Sequence, residues 1–162
     1  MWQDISLDAA IAGPLPGFSR HRGIGRFGSM GAGTVLLVEA HAQVRHMLAR
    51  ALRGAGYGVL EAERAGNGAD VIAGEPLAAC IIEIAADNDL AGVALARAIR
   101  AADAAMPIIH ISAIDAWGLP GDVEEDHLTR YLCKPFGVRA LIEVIGRLSD
   151  RAGQLRGMPE RY

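Results

Sequence analysis

Cysteine is scarce in this chain, with only Cys80 and Cys133 in 162 residues. Both sit in apolar segments without metal-ligand spacing, which argues against a disulfide framework or a structural zinc site and leads us to expect two buried, reduced thiols. A reducing, cytoplasmic setting fits that usage. Long apolar runs are missing as well. No stretch approaches the ~18 continuous apolar residues of a membrane helix. The opening "MWQDISLDAAIAG" also carries acids where a secretory signal has a basic start. We therefore expect a soluble protein that is not exported and makes no membrane contact. Positive charge is not in excess either: 16 Lys and Arg against 19 Asp and Glu leave a formal net charge of -3. That balance gives no basic footprint and disfavours nucleic acid as a partner.

What remains is ordinary globular material, 51% hydrophobic and 22% charged, with length for one domain and a real core. Residues 1–33 stand apart. "GPLPGFSRHRGIGRFGSMGAG" is rich in Gly and Arg, contains two Pro and has no sustained period, so a flexible N-terminal extension is expected there. "GIGRFG" inside it satisfies G-x-G-x-x-G, yet it follows no strand and opens no helix, so the dinucleotide reading lacks its context.

From Thr34 onward, short apolar runs alternate with amphipathic segments. "TVLLVE", "YGVLEA", "AACIIE", "MPIIHIS" and "RYLC" read as strands. "AQVRHMLARALRGAG", the short "NGADVIAG", "VALARAIRAAD" and "VRALIEVIGRL" read as helices. The last carries Val138, Leu141, Ile142, Ile145 and Leu148 on one face. Strands that are continuous apolar runs, each followed by a helix, argue for a parallel sheet covered on both faces, an open α/β sandwich. One unit breaks the rhythm: "AIDAWGLPGDVEEDHLT" has two Gly and a Pro where a helix is due, so the fourth helix is expected to be short, displaced or absent. The domain is expected over residues 34–150, with a tail over 151–162.

Open parallel sheets bind at the carboxyl ends of their strands. Strand one ends in Glu39, strand three in Glu83, strand four in Ser112, and strand five in Lys134 followed by Pro135 and Phe136. Two carboxylates, a hydroxyl and an ammonium are thus delivered to one edge. His41, His46, His110 and His127 are scattered and read as ordinary core or surface histidines, and "DVEEDH" reads as a solvated acidic loop.

The runs "VLLVEAHAQVRHMLARALRGAGYGVLEA", "ACIIEI", "GVALARAIR", "PIIHISA" and "YLCKPF" together resemble the receiver domain of bacterial two-component response regulators, over about residues 34–150. The resemblance implies a flavodoxin-like three-layer sandwich with a parallel five-stranded sheet of order 2-1-3-4-5. It implies a phosphoacceptor position at Glu83, an acidic pair for Mg2+ at Glu39 and Ala40, and phosphoryl contacts from Ser112 and Lys134. A switch aromatic falls at Tyr131, and Pro135 and Phe136 belong to the signalling region. The implied partners are proteins: a histidine kinase, a phosphotransfer protein or a downstream regulator. A homodimer through the fourth helix, fifth strand and fifth helix is a further implied contact.

Two positions depart from the family pattern. The acceptor is Glu rather than Asp, and Ala40 stands where a second acid belongs. A shift of one residue would put apolar Ile84 at the acceptor position. The extra methylene of Glu83 moves its carboxylate roughly 1.5 Å outward, and a misplacement of that size costs ~10²-fold in a positioned reaction. Mg2+ needs near-octahedral oxygen ligation, and Ala40 offers no oxygen, so Glu39 is left as a weak or vestigial metal ligand. The expectation is a stand-alone, phosphorylation-independent pseudo-receiver that is not an enzyme. An active Mg2+-dependent phosphoacceptor near Glu83 is the alternative, and a small-ligand module is a more distant one.

Overall fold

The computed structural model describes residues 33–65, 76–84, 90–113 and 126–157. Among them the chain runs β1 (Thr34–Val38), α1 (Ala42–Gly54), β2 (Gly58–Ala62), β3 (Leu77–Glu83), α2 (Ala91–Ala102), β4 (Ile108–Ser112), β5 (Thr129–Cys133) and α3 (Val138–Arg156). The five strands form one sheet of order β2-β1-β3-β4-β5, and every pair is parallel. This is the flavodoxin-like arrangement expected from the sequence. The stretches read as a flexible arm, a short helix at 67–74 and most of the irregular 113–129 unit lie outside the described residues.

The apolar character of the strands follows from their position between two layers. Side chains alternate along β1: Val35 and Leu37 join Leu48 and Leu52 of α1 and Leu141, Ile145 and Leu148 of α3 on one face. Leu36 and Val38 join Leu95, Ala96 and Ile99 of α2 on the other. A strand buried on both faces has no solvent side on which to place polar residues, so it reads as a continuous apolar run. Helix α1 ends where Gly56, at φ 93°, makes the left-handed turn that lets the chain re-enter the sheet as β2.

Two features differ from the sequence reading. Helix α3 continues to Arg156, past the periodic stretch that ends at Leu148, because Ala152 extends the buried stripe of Leu141, Ile145 and Leu148 by another turn. Cys133 is exposed, not buried like Cys80. It is the last residue of an edge strand, where the covering layers run out.

Candidate functional site

The register brings the ends of β1, β3 and β5 to one edge. Glu39 follows β1 and is tied across to β2 by its N–H, which donates to the Ala62 carbonyl at 3.0 Å. Its side chain is completely buried. Glu83 closes β3, with its carboxylate at the same edge and slightly exposed. Lys134 follows β5, and its backbone N–H donates to the Ser112 carbonyl at 2.7 Å. Its ammonium sits between the two carboxylates, donating to Glu39 Oε2 at 2.6 Å and to Glu83 Oε1 at 2.7 Å. These are short, charge-assisted bonds. Lys134 is also the only lysine in the chain, whose other cations are arginines. A compact ammonium with several donors on a flexible stem suits a site where two carboxylates converge from different strands.

The remaining carboxylate oxygens are also spoken for. Glu83 Oε2 accepts from the backbone N–H of Ala40 at 2.8 Å, across 43 residues of sequence. The position that lacks an acid side chain therefore joins the site through its main chain. Glu39 Oε1 accepts from the His41 N–H at 2.9 Å. The loop that presents these two N–H groups is fixed from below by Arg45, whose guanidinium donates to the Glu39 carbonyl at 2.6 Å and to the Ala40 carbonyl at 3.3 Å. On the far side of Glu83 the first turn of α2 comes close. A Cβ at Gly92 would lie 2.5 Å from the Glu83 carbonyl oxygen, so a residue without a side chain is required there.

Burial alone would raise Glu83 and lower Lys134 in pKa. For Glu83, the bonds from Lys134 and from the Ala40 N–H overrule it and hold the carboxyl below its ordinary value. For Lys134, the bonds and charges of Glu39 and Glu83 overrule it and hold the ammonium above its ordinary value. Both groups are ionised at neutral pH, and the three side chains carry a net charge of about -1.

Of the residues singled out from the sequence, Glu39, Glu83 and Lys134 come together. Ser112 is fully buried, and its hydroxyl donates to the Ile84 carbonyl at 2.7 Å, which fixes the chain one residue beyond Glu83. Ile84 is itself buried, so the side chain that reaches the edge at the end of β3 is that of Glu83. Tyr131 lies mid-strand in β5, partly buried, in register with His110 of β4. Pro135 is exposed after a cis peptide bond, and Phe136 packs onto the α1 and α3 side of the core.

The sequence reading missed Arg45, Gly92 and His41. The Nδ1 of His41 lies 3.4 Å from Glu39 Oε1 and 4.0 Å from Glu83 Oε1. Its nearness to Glu39 was visible as a spacing of two residues, and the strand ends bring Glu83 to the same edge, but nothing in a linear pattern shows that the imidazole lies beside both carboxylates.

The family model that matches this chain is the response regulator receiver domain, over residues 35–146. Among solved structures, a response regulator receiver protein from Sinorhizobium medicae is 25% identical, with a TM-score of 0.68, covering 76% of this chain and 99% of that one. A CheY-like receiver domain from Methanospirillum hungatei is 20% identical with a TM-score of 0.64, covering 76% and 98%. The N-terminal domain of a response regulator/sensory box/GGDEF protein from Carboxydothermus hydrogenoformans is 18% identical with a TM-score of 0.65, covering 76% and 98%. No curated protein matches the chain.

Proposed function

Because the chain belongs to the response regulator receiver family of two-component signalling, we propose that it is an atypical receiver whose site is closed by Lys134 without phosphorylation. It passes its signal on by contact with another protein. The observation that carries this reading is the pair of hydrogen bonds that Lys134 donates, one to Glu39 and one to Glu83. In an ordinary receiver the lysine engages the phosphoryl group after the acceptor has been modified. Here the carboxylate of Glu83, one methylene further out than an aspartate, already occupies the lysine. Glu83 is less a nucleophile than a built-in copy of the modified state.

Receivers bind Mg2+ at the phosphorylation site, and Glu39 and Glu83 lie close together, as such a site needs. The rest of the donor set is a poor match to that ion. Ala40 has no oxygen in its side chain, and the ammonium of Lys134 already supplies positive charge to both carboxylates. Each carboxylate also has an oxygen engaged by a backbone N–H. Ser112, Tyr131 and Phe136 are retained in this reading as the packing that links the crevice to the surface around β5 and α3. That surface is the one through which a kinase, a phosphotransfer protein, a downstream regulator or a second copy would be contacted.

The test is incubation of the intact chain with acetyl phosphate and Mg2+, followed by intact-mass measurement. No phosphoryl adduct is expected. A stoichiometric adduct that disappears in Glu83→Gln would overturn the reading and make the protein an active phosphoacceptor.

A further inference from the structure

We propose that the far end of α3 and the start of β5 form a binding site for a phosphorylated nucleoside. This site stands apart from the strand-end crevice and does not depend on how that crevice is read. Lys134 and the two carboxylates gather at the carboxyl ends of the strands, whereas α3 runs back along the sheet until the Ser149 hydroxyl donates to the carbonyl of Ala78, near the start of β3, at 3.3 Å. Arg147 lies nine residues into the helix, roughly 14 Å from its start at 1.5 Å per residue.

A cavity of about 480 Å3 opens there, within the roughly 300–1,000 Å3 of small-molecule sites. Val144 and Leu148 give it an apolar part, and Arg147, Arg151 and Gln154 of the same helix line it together with Arg130 of β5. The helical positions recur at three- and four-residue spacing, so they form one stripe along α3. Apart from Arg130 and Val144, the lining comes from residues beyond 146, where the match to the receiver family ends. The family pattern therefore does not account for it.

Charge sets this cavity apart from the rest of the described surface. Arg53, Arg100, Arg139 and Arg156 each pair with an acid. Arg130, Arg147 and Arg151 form no ion pair among the described residues. Arg147 and Arg151 also stand at i and i+4, a spacing at which like charges repel. With Asp150 as the only acid in the lining, the cavity carries about +2. Two of the guanidiniums are held by the segment that enters β5: Arg130 Nη1 donates to the carbonyls of Asp126 and Thr129, and Arg151 Nη1 donates to the His127 carbonyl at 3.1 Å. One nitrogen of each is anchored on backbone while the rest of the fork has no partner among the described residues. Such pre-set forks suit the oxygens of a phosphate.

The lining selects the rest of the ligand. A phosphate monoester carries about -1.5 to -2 near neutral pH and matches the excess charge, where a carboxylate would leave part of it uncompensated. A bare phosphate would leave most of the volume and the apolar part unused. A planar base can lie on Val144 and Leu148 and stack against a guanidinium face. Asp150, when ionised, only accepts hydrogen bonds, so it favours a ligand with N–H or O–H donors, which a nucleobase and a ribose both have; Gln154 can donate and accept beside it.

The experiment uses the full chain. GMP, AMP, ribose 5-phosphate and inorganic phosphate are titrated by calorimetry, and the 15N-labelled ammonium of Lys134, the one lysine, is followed in parallel as a reporter of the crevice. The expected result is one GMP or AMP per chain, bound at least tenfold more tightly than ribose 5-phosphate or inorganic phosphate, with the Lys134 signal unmoved. Arg147→Ala, a change at an exposed side chain, should weaken nucleotide binding by about 10–100-fold through the loss of charge-assisted hydrogen bonds. Arg139→Ala, exposed in the first turn of the same helix, should leave it unchanged. Inorganic phosphate or ribose 5-phosphate binding as tightly as the nucleotides would reduce the cavity to a general anion trap and overturn the proposal. So would failure of both nucleotides to bind, wild-type affinity in Arg147→Ala, or a shift of the Lys134 signal that puts the ligand in the crevice.

Discussion

Two of the buried polar clusters among the described residues show opposite outcomes of burial. At the strand-end crevice, Glu83 and Lys134 stay charged against the pull of desolvation. On the α2 face of the sheet, His110 of β4 is pushed down to about 4 by burial, opposed by a hydrogen bond to the Ile82 backbone and reinforced by the charge of Arg100. Nearby Cys80 is pushed up to about 12, chiefly by burial and then by Asp103. Both of those groups are neutral at pH 7. The difference lies in partners. Lys134 in the crevice meets two carboxylates, while His110 Nδ1 and Arg100 Nε are buried without a hydrogen-bond partner. Desolvation acts on both clusters, and directed bonds decide that Glu83 and Lys134 keep their charge while His110 gives up its own.

The strongest way to break this contrast is to remove the crevice's cation. Lys134→Met leaves the fully buried Glu39 and its neighbour Glu83 facing each other without a counter-ion. We expect a loss of about 3–5 kcal/mol at pH 7, read by urea denaturation. The pH dependence has a definite sign. Glu83 is held below its ordinary 4.5 and Lys134 above its ordinary 10.5. Their contribution is therefore fully present between those two values. It fades as pH falls through the lowered carboxyl value and as pH rises through the raised ammonium value. The gap between wild type and Lys134→Met should be constant across neutral pH and close at both extremes. A gap below ~1 kcal/mol at pH 7 would make the cluster no more than a surface ion pair.

The second prediction concerns the other cluster. A histidine whose folded value is about 4 against an ordinary 6.5 must be neutral to stay buried. Stability is intact above 6.5 and is lost as pH falls from there through about 4. A shift of that size corresponds to about 3 kcal/mol at most. The groups around the ring are Arg100 of α2 and the Ile82 backbone of β3, with Cys80 on the same face. None of these supplies a negative charge to the imidazolium. His110→Leu should therefore keep or improve stability at pH 7 and abolish most of the loss between pH 6.5 and 4. If the acid limb of the stability curve is the same in both proteins, the ring is not the group that titrates.

The same contrast shows how much of the molecule could be read from its sequence. Strand and helix order, parallel topology and the arrival of Glu39, Glu83 and Lys134 at one edge were legible, because apolar runs and strand ends are linear properties. Pairing was not. That Lys134 bridges both acids and that Ala40 contributes its N–H depend on bonds between segments 43 to 95 residues apart, and the brace from Arg45, though only six residues from Glu39, ends on a backbone carbonyl that no residue pattern marks. His110 and Arg100 illustrate the converse. Each fitted its strand or helix pattern, but periodicity records which face a side chain occupies and says nothing of whether its polar atoms find partners there. Cys133 was misread for a related reason: an apolar segment at the edge of a sheet need not be covered at its last residue.

The gentlest change tests whether the missing acid is what sets the crevice apart. Ala40 is exposed, and Ala40→Asp adds a carboxylate at the loop without displacing any side chain bonded in the cluster. A surface substitution of this kind costs within about 0.5 kcal/mol, here through repulsion with Glu39 and Glu83 as the net charge goes from about -1 to about -2. That small loss is the first half of the prediction. In the second half, Mg2+ returns it: a dication with a third carboxylate to bind stabilises the folded state by about 1.4 kcal/mol at tenfold over its Kd. Thermal unfolding of wild type and Ala40→Asp, each with and without millimolar Mg2+, reads both halves. If Mg2+ raises the Tm of Ala40→Asp alone, the closed crevice is a consequence of the missing oxygen at position 40. If Mg2+ raises both equally, Lys134 is not excluding the ion, and the crevice holds its charges the way any acidic strand end would.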